Sequence, residues 1–272
     1  MPELPEVETI RQDLLPVLRG RKITSASISE NAPRLVQLIS ADEFERLLPG
    51  RSIEDVSRRG KYLILNLDRG MMWVIHLRMT GRLQHSDPEC DPGAYLRAKF
   101  ALDDGTWLCF NDLRKFGMMW LVDDWTLVNS DLGPEPLSDA FELAAFTSLL
   151  KRRAAPIKSV LLDQTVLAGI GNIYADEALY AAGIDPRKPA KRVTRPKAAK
   201  LHAAIIAVLH DALGDRGSSF RDYVDGKGNE GRHQLKVKVY RRTDEPCYAC
   251  GTPIRRVVVG GRSTHFCPKC QR

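Results

Sequence analysis

A chain of 272 residues with 43% hydrophobic and 28% charged side chains can bury a sizeable core, which excludes a disordered or fibrous protein and favours two compact domains. No apolar run reaches the roughly 18 residues of a membrane span. The opening MPELPEVETIRQDL carries carboxylates where a secretory signal needs basic and then apolar residues, so the chain is expected to be cytoplasmic and free of the membrane. The formal net charge of +7 is unevenly spread: residues 187–272 hold 20 basic and 7 acidic residues, a net +13, against −6 for the rest. Such polarity fits a C-terminal part that meets a polyanion, or a basic surface that is merely solvated.

Leu4, Val7, Ile10, Leu14 and Leu18 recur at spacings of three and four, which predicts an amphipathic helix over 4–18. Glu3, Glu6 and Glu8 suit its positive end, Gly20 is a stop, and Pro16 is expected to kink the last turn. From Ile23 to about Val128 the apolar residues come in short runs, YLILNL, MMWVIHL, KFAL, TWLCF and MMWLV, divided by turn-like DRG, DDG and NDL. These read as a β-sandwich or barrel. Residues 129–139, NSDLGPEPLSD, form a boundary, and 140–216 then read as helices. The polar, glycine-rich stretch 225–234 reads as a loop.

Three features carry chemistry. Cys247, Cys250, Cys267 and Cys270 form two CxxC knuckles 16 residues apart, spaced to present four thiolates to one zinc ion. The alternative is disulfides or free thiols, which the lack of a secretory signal disfavours. Four protein ligands leave no open position, so the zinc is expected to be structural. Cys90 and Cys109 lie outside this spacing and read as ordinary small residues. Gly169 and Gly171 precede a helix that Asn172 could cap, an arrangement that suits a phosphate clamp or a tight turn between helices. At the N-terminus, removal of Met1 would expose Pro2 as a secondary amine with a pKa near 8, able to attack a sugar carbon and form an iminium. Glu3 beside it could move protons. Without other support, Met-Pro-Glu is an ordinary helix start.

That support is a resemblance. Pro2-Glu3-Leu4-Pro5-Glu6-Val7-Glu8-Thr9, Gly60-Lys61-Tyr62-Leu63, His76-Leu77-Arg78-Met79-Thr80-Gly81, Arg114-Lys115-Phe116-Gly117, Gly169-Ile170-Gly171-Asn172-Ile173-Tyr174 and the four cysteines follow in the order and spacing of the bacterial formamidopyrimidine-DNA glycosylases. The chain resembles that family from end to end. The resemblance implies an α+β fold. An N-terminal β-sandwich domain preceded by a helix would span 1–130, a helix-two-turn-helix DNA-binding domain 131–238, and a β-hairpin zinc finger 239–272.

It also implies a bifunctional DNA glycosylase and AP lyase of base excision repair, acting on oxidised purines in duplex DNA; separately, the lack of coiled-coil heptads or of a long exposed apolar strand makes a monomer the expectation. Pro2 would be the nucleophile and Glu3 the acid-base residue. Lys61 would serve β-elimination and a backbone contact, and Arg262 phosphate binding and δ-elimination. An everted base leaves a hole to fill, and the residues implied for it are Met79, Arg114 and Phe116. Asn172, Lys158 and Arg153 fall where the family places DNA-backbone contacts, and Ser218, Ser219 and 225–234 where it folds over the everted base. Tyr95 stands where many members carry a histidine, so that contact loses its possible positive charge. Two readings compete: an endonuclease VIII-like enzyme for oxidised pyrimidines, whose members usually open Pro-Glu-Gly-Pro-Glu, and a non-catalytic DNA-binding zinc-finger protein.

Overall fold

The computed structural model describes residues 1–91 and 93–272, which divide into two compact units. The first comprises Met1–Ser130 together with Asp215–Arg232, and the second Asp131–Gly214 with His233–Arg272. The stretch 215–232 follows the helices in sequence yet packs within the first unit.

The first unit opens with helix α1 (Leu4–Leu18), whose Pro5 lies in the first turn, where no intrahelical N–H is lost. The helix runs on past Pro16 to Leu18, and Gly20 ends the element at a φ of 82°. Val7, Ile10, Leu14 and Leu18 are at most 1% exposed, each burial contributing about 2 kcal/mol. They pack against two four-stranded antiparallel sheets. One has the order β1 (Ile23–Ile28), β6 (Leu96–Leu102), β7 (Trp107–Asp112), β5 (Gly81–Ser86). The other has the order β2 (Ile53–Arg59), β3 (Tyr62–Leu67), β4 (Met72–His76), β8 (Met118–Val122). A single cluster joins Phe100, Leu108 and Phe110 of one sheet to Leu63, Leu65, Trp73 and Ile75 of the other, so the unit is a β-sandwich.

The runs YLILNL, MMWVIHL and MMWLV are apolar throughout because both faces of the second sheet are covered. Ile64, Val74, Trp120 and Val122 turn away from the main core and pack against Trp125 and Val128. The short helix α2 (Ala41–Leu47) adds Phe44, edge-on to Trp73 with ring centroids 6.1 Å apart. Cys90 and Cys109 correct the reading as isolated small residues: the connection from β5 to β6 folds back over β7 and the two are joined in a disulfide, with Cα atoms 5.6 Å apart.

The second unit is built on α3 (Leu143–Lys151), α4 (Ile157–Leu162), α5 (Asn172–Ala182) and α6 (Arg195–Gly214). It ends in the antiparallel hairpin of β9 (Arg255–Val259) and β10 (Arg262–Phe266). Gly260 and Gly261, at φ of 55° and 72°, make the two-residue turn that hairpins with positive φ at both central positions require. Among the described residues no helix is long and apolar enough to cross a membrane.

Candidate functional site

The amino terminus of the sandwich unit is the first cluster. Pro2 and Glu3 are buried at the start of α1, where the Glu3 N–H donates to Glu6 Oε2 at 2.8 Å. With Met1 in place, burial lowers the pKa of the terminal amine below its ordinary value; Glu3, Glu6 and Asp222 oppose this, and Lys61 reinforces it. Lys61 reaches the region from the two-residue turn Gly60-Lys61 between β2 and β3, and its side chain is only 6% exposed. The same burial, aided by Arg78 and Lys61, pushes His76 down to about 3, so its ring is neutral. Its Nδ1 accepts the Arg78 N–H at 2.9 Å. An amine biased toward its free-base form beside two carboxylates and a lysine can act as a nucleophile with proton carriers at hand.

Two turns of the same unit bring Met79, Arg114 and Phe116 together. The Arg114 guanidinium lies over the Phe116 ring at 4.7 Å and its Nη1 is 2.9 Å from Met79 Sδ. All three side chains are exposed, Met79 to 43% and Phe116 to 48%, although both are of types that normally seek the core. Asp112, at the end of β7 and 1% exposed, holds them there: its carboxylate accepts the N–H of Arg114 at 3.1 Å and of Gly117 at 2.7 Å, and bonds the Thr80 hydroxyl. Gly117 fits because a Cβ there would lie 2.4 Å from the Phe110 ring. Tyr95 is 53% exposed and borders a cavity of about 250 Å³ with Arg82, Gln84, Asn111 and Asp222.

In the helical unit, Arg262 is exposed at the tip of the β9–β10 hairpin, and Asn172 is the first residue of α5. Asn172 does not cap that helix. Gly171 occupies the cap position, and the Asn172 amide donates instead to the Ser263 carbonyl at 2.9 Å. Lys158 departs from the expected surface contact with DNA, because its side chain is fully buried. Its ammonium lies 2.7 Å from Asp176 and donates to Ser263 O and Thr264 Oγ1 at 2.8 Å each. A buried cation needs such a partner, and the effect is to anchor β10 one residue beyond Arg262. Arg153 is exposed just after α3. The turn at Gly169, with a φ of 94°, is fixed by Gln164, which accepts the Gly169 N–H at 3.0 Å and donates to Ile170 O at 2.8 Å.

Cys247, Cys250, Cys267 and Cys270 converge with all four Sγ atoms within 4.8 Å of one another. Cys247 and Cys270 are 3.9 Å apart and Cys250 and Cys267 3.5 Å. A tetrahedral zinc with bonds of about 2.3 Å needs sulfur–sulfur edges of about 3.8 Å. The residues fit, and they hold one structural zinc ion. Asp112, Asp176 and Glu177 escaped the sequence reading, and an isolated acid in a sequence carries no mark of whether it will be buried.

Three sequence families match in tandem: the formamidopyrimidine-DNA glycosylase N-terminal domain over residues 1–119, the formamidopyrimidine-DNA glycosylase H2TH domain over 132–223, and a zinc finger found in FPG and IleRS over 244–272. The formamidopyrimidine-DNA glycosylase of Chloroflexus aggregans is 47% identical over 100% of this chain and 98% of its own length. Two Lactococcus lactis FPG structures superpose over 100% of both chains at 36% identity. One, in complex with Fapy-dG-containing DNA, has a TM-score of 0.92; the other, in complex with DNA containing an oxidised pyrimidine, has 0.91.

Proposed function

Because this chain belongs to the formamidopyrimidine-DNA glycosylase family, we propose that it removes oxidised purines, 8-oxoguanine and formamidopyrimidines, from duplex DNA and then cleaves the strand, with Pro2 as the nucleophile. The observation that carries this reading is the geometry of the amino terminus: Pro2 and Glu3 are buried together at the start of α1, and Lys61, itself buried, acts on the terminal amine that precedes Pro2.

After loss of Met1, the Pro2 nitrogen lone pair attacks C1′ of the damaged nucleotide. The C1′–N bond breaks, its electrons and a proton leave with the base, and Glu3 assists the opening of the sugar to an iminium. Removal of a C2′ proton, with Lys61 assisting, expels the 3′ phosphate. A second elimination, with Arg262 on the phosphate, expels the 5′ phosphate, and water releases Pro2. The products are a one-nucleotide gap with phosphates on both sides and a sugar fragment.

Met79 and Phe116 wedge into the space of the everted base while Arg114 faces the orphaned partner. Asn172, Arg153 and Tyr95 meet the DNA backbone, and Lys158 acts through β10 as its anchor. The bound zinc shapes the hairpin that carries Arg262 and takes no part in bond making. Domain limits of 1–130, 131–238 and 239–272, action as a monomer and a cytoplasmic location belong to the same proposal.

Borohydride trapping of N-terminally sequenced protein on a duplex with a single 8-oxoguanine opposite cytosine tests it, with a dihydrouracil duplex in parallel. The adduct is expected on Pro2 and absent in Pro2→Gly. Trapping that survives Pro2→Gly would remove Pro2 as the nucleophile, and preference for dihydrouracil would move the substrate to oxidised pyrimidines. The second arm matters because a relative crystallises with an oxidised pyrimidine in its DNA.

A further inference from the structure

The excursion 215–232 packs in the sandwich unit, and its neck is closed by backbone. The Arg232 N–H donates to Asp215 O at 2.8 Å, and a Cβ on Gly231 would stand 2.2 Å from Gly217 O. Just inside the neck, Arg216 holds a φ of 61°, a left-handed conformation that strains an L residue. Its guanidinium is what the strain secures. Nε donates to Asp225 Oδ2 at 2.9 Å, and Nη2 reaches both Asp225 Oδ2 and Asp13 Oδ2 at 2.5 Å.

Both acids are buried, Asp225 completely and Asp13 to 6% exposure. Asp225 Oδ1 also accepts the N–H groups of Lys227 and Asn229, at 2.9 and 2.8 Å, so the same carboxylate shapes the turn that follows. Asp13 Oδ2 accepts the Gly226 N–H at 3.2 Å, and a Cβ on Gly226 would lie 2.8 Å from Asp13 Cβ. Asp13 is on α1, seven residues beyond Glu6, and Glu6 Oε1 accepts the Ser218 N–H at 2.8 Å. The Tyr223 hydroxyl donates to Arg216 O at 3.1 Å. Segment 217–224 is thus fastened to the helix that begins at the nucleophile, and Asp222 within it acts on the terminal amine.

We propose that Asp13, Arg216 and Asp225 form a clip that positions segment 217–224 for base removal. The inference rests on the reading of the amino terminus given above. A base attached to the sugar carbon under attack lies beside that terminus, within reach of the segment whose Asp222 acts on the terminal amine, whereas an abasic sugar carries no base for the segment to meet. The clip touches no reacting atom, and its three members are positioning residues.

The test compares single-turnover excision from an 8-oxoguanine duplex with borohydride trapping on a duplex carrying a preformed abasic site. Arg216→Gly keeps the backbone conformation without strain, and Asp225→Asn keeps the acceptor for Lys227 and Asn229. Each variant is expected to slow excision about tenfold or more while abasic-site trapping stays within about twofold. Excision within about twofold of wild type in both variants, or a parallel fall in both activities, would overturn the clip. Wild-type protein that traps on neither duplex would bring down the reading of the amino terminus, and the clip with it.

Discussion

The buried acids of the two units both gather donors, yet they are spent on different tasks. In the helical unit Asp176 takes the Lys158 ammonium at 2.7 Å and the His265 N–H at 2.9 Å. Glu177 takes three successive N–H groups, of Lys238, Val239 and Tyr240, at 2.7, 2.9 and 2.8 Å. The donors serving these acids are backbone N–H groups and a fully buried ammonium, so the acids act as staples for the zinc-bearing end of the chain. In the sandwich unit Glu6 joins Glu3 to Ser218, and Asp13 and Asp225 share an arginine whose side chain is 42% exposed. There the acids tie the amino-terminal helix to a loop, in part through a partner that water can reach. A charge enclosed on all sides fixes a shape, and one left half open to solvent leaves the link breakable.

The largest effect that would sharpen this contrast comes from zinc. Structural zinc in small fingers contributes about 10 kcal/mol of folding free energy. Chelation should therefore melt the hairpin and weaken DNA binding, read by fluorescence anisotropy. The four tryptophans all lie in the sandwich unit, so their emission should hold steady. Undiminished affinity in verified metal-free protein would break the picture of a stapled, metal-held unit.

Next in size is Glu177→Ala, which leaves three backbone donors without their acceptor. The expected loss is about 3 kcal/mol, seen as a lower thermal midpoint with no change in the midpoint's dependence on added abasic-site DNA. A midpoint within a degree of wild type would mean that the three N–H groups find other partners.

The smallest effect concerns pH. His76 is held neutral in the fold, with its pKa near 3, and regains a value near 6.5 on unfolding. Its contribution to stability is present above about pH 6.5 and is lost as the unfolded chain binds a proton below that, by up to about 1.4 kcal/mol per pH unit. Denaturation of wild type and His76→Gln between pH 6.5 and 5 should give a shallower slope for the variant. Equal slopes would show that His76 is solvated in the native state.

Periodicity made much of the fold legible. The spacing of Leu4, Val7, Ile10, Leu14 and Leu18 marks the face that α1 buries, and two CxxC knuckles announce a metal site because few other arrangements need four thiols so placed. Charge defeated the same approach. Lys158 reads as a surface base and is buried. Nothing in the sequence marks Asp13 as a partner of Arg216 and Asp225, some two hundred residues away, and only the tertiary fold brings the three together. The Cys90–Cys109 bridge was hidden for the same reason, since nothing in a gap of 19 residues says that one loop doubles back over one strand. Met79, Arg114 and Phe116 were reached through resemblance alone, and their exposure is what physics would have flagged, had it been visible beforehand.

The backbone neck at Asp215 and Arg232 bears on how such a chain can diverge. Its closure uses main-chain atoms and two glycines, and the side chains that fasten the enclosed segment, Arg216 and Asp225, lie apart from that closure. Lengthening a flexible loop costs only about 0.6 kcal/mol for each doubling once its ends are fixed. The neck therefore works as a socket. Insertions and deletions that spare Arg216, Asp225 and Gly226 can accumulate over generations while the sandwich that holds the neck stays as it is.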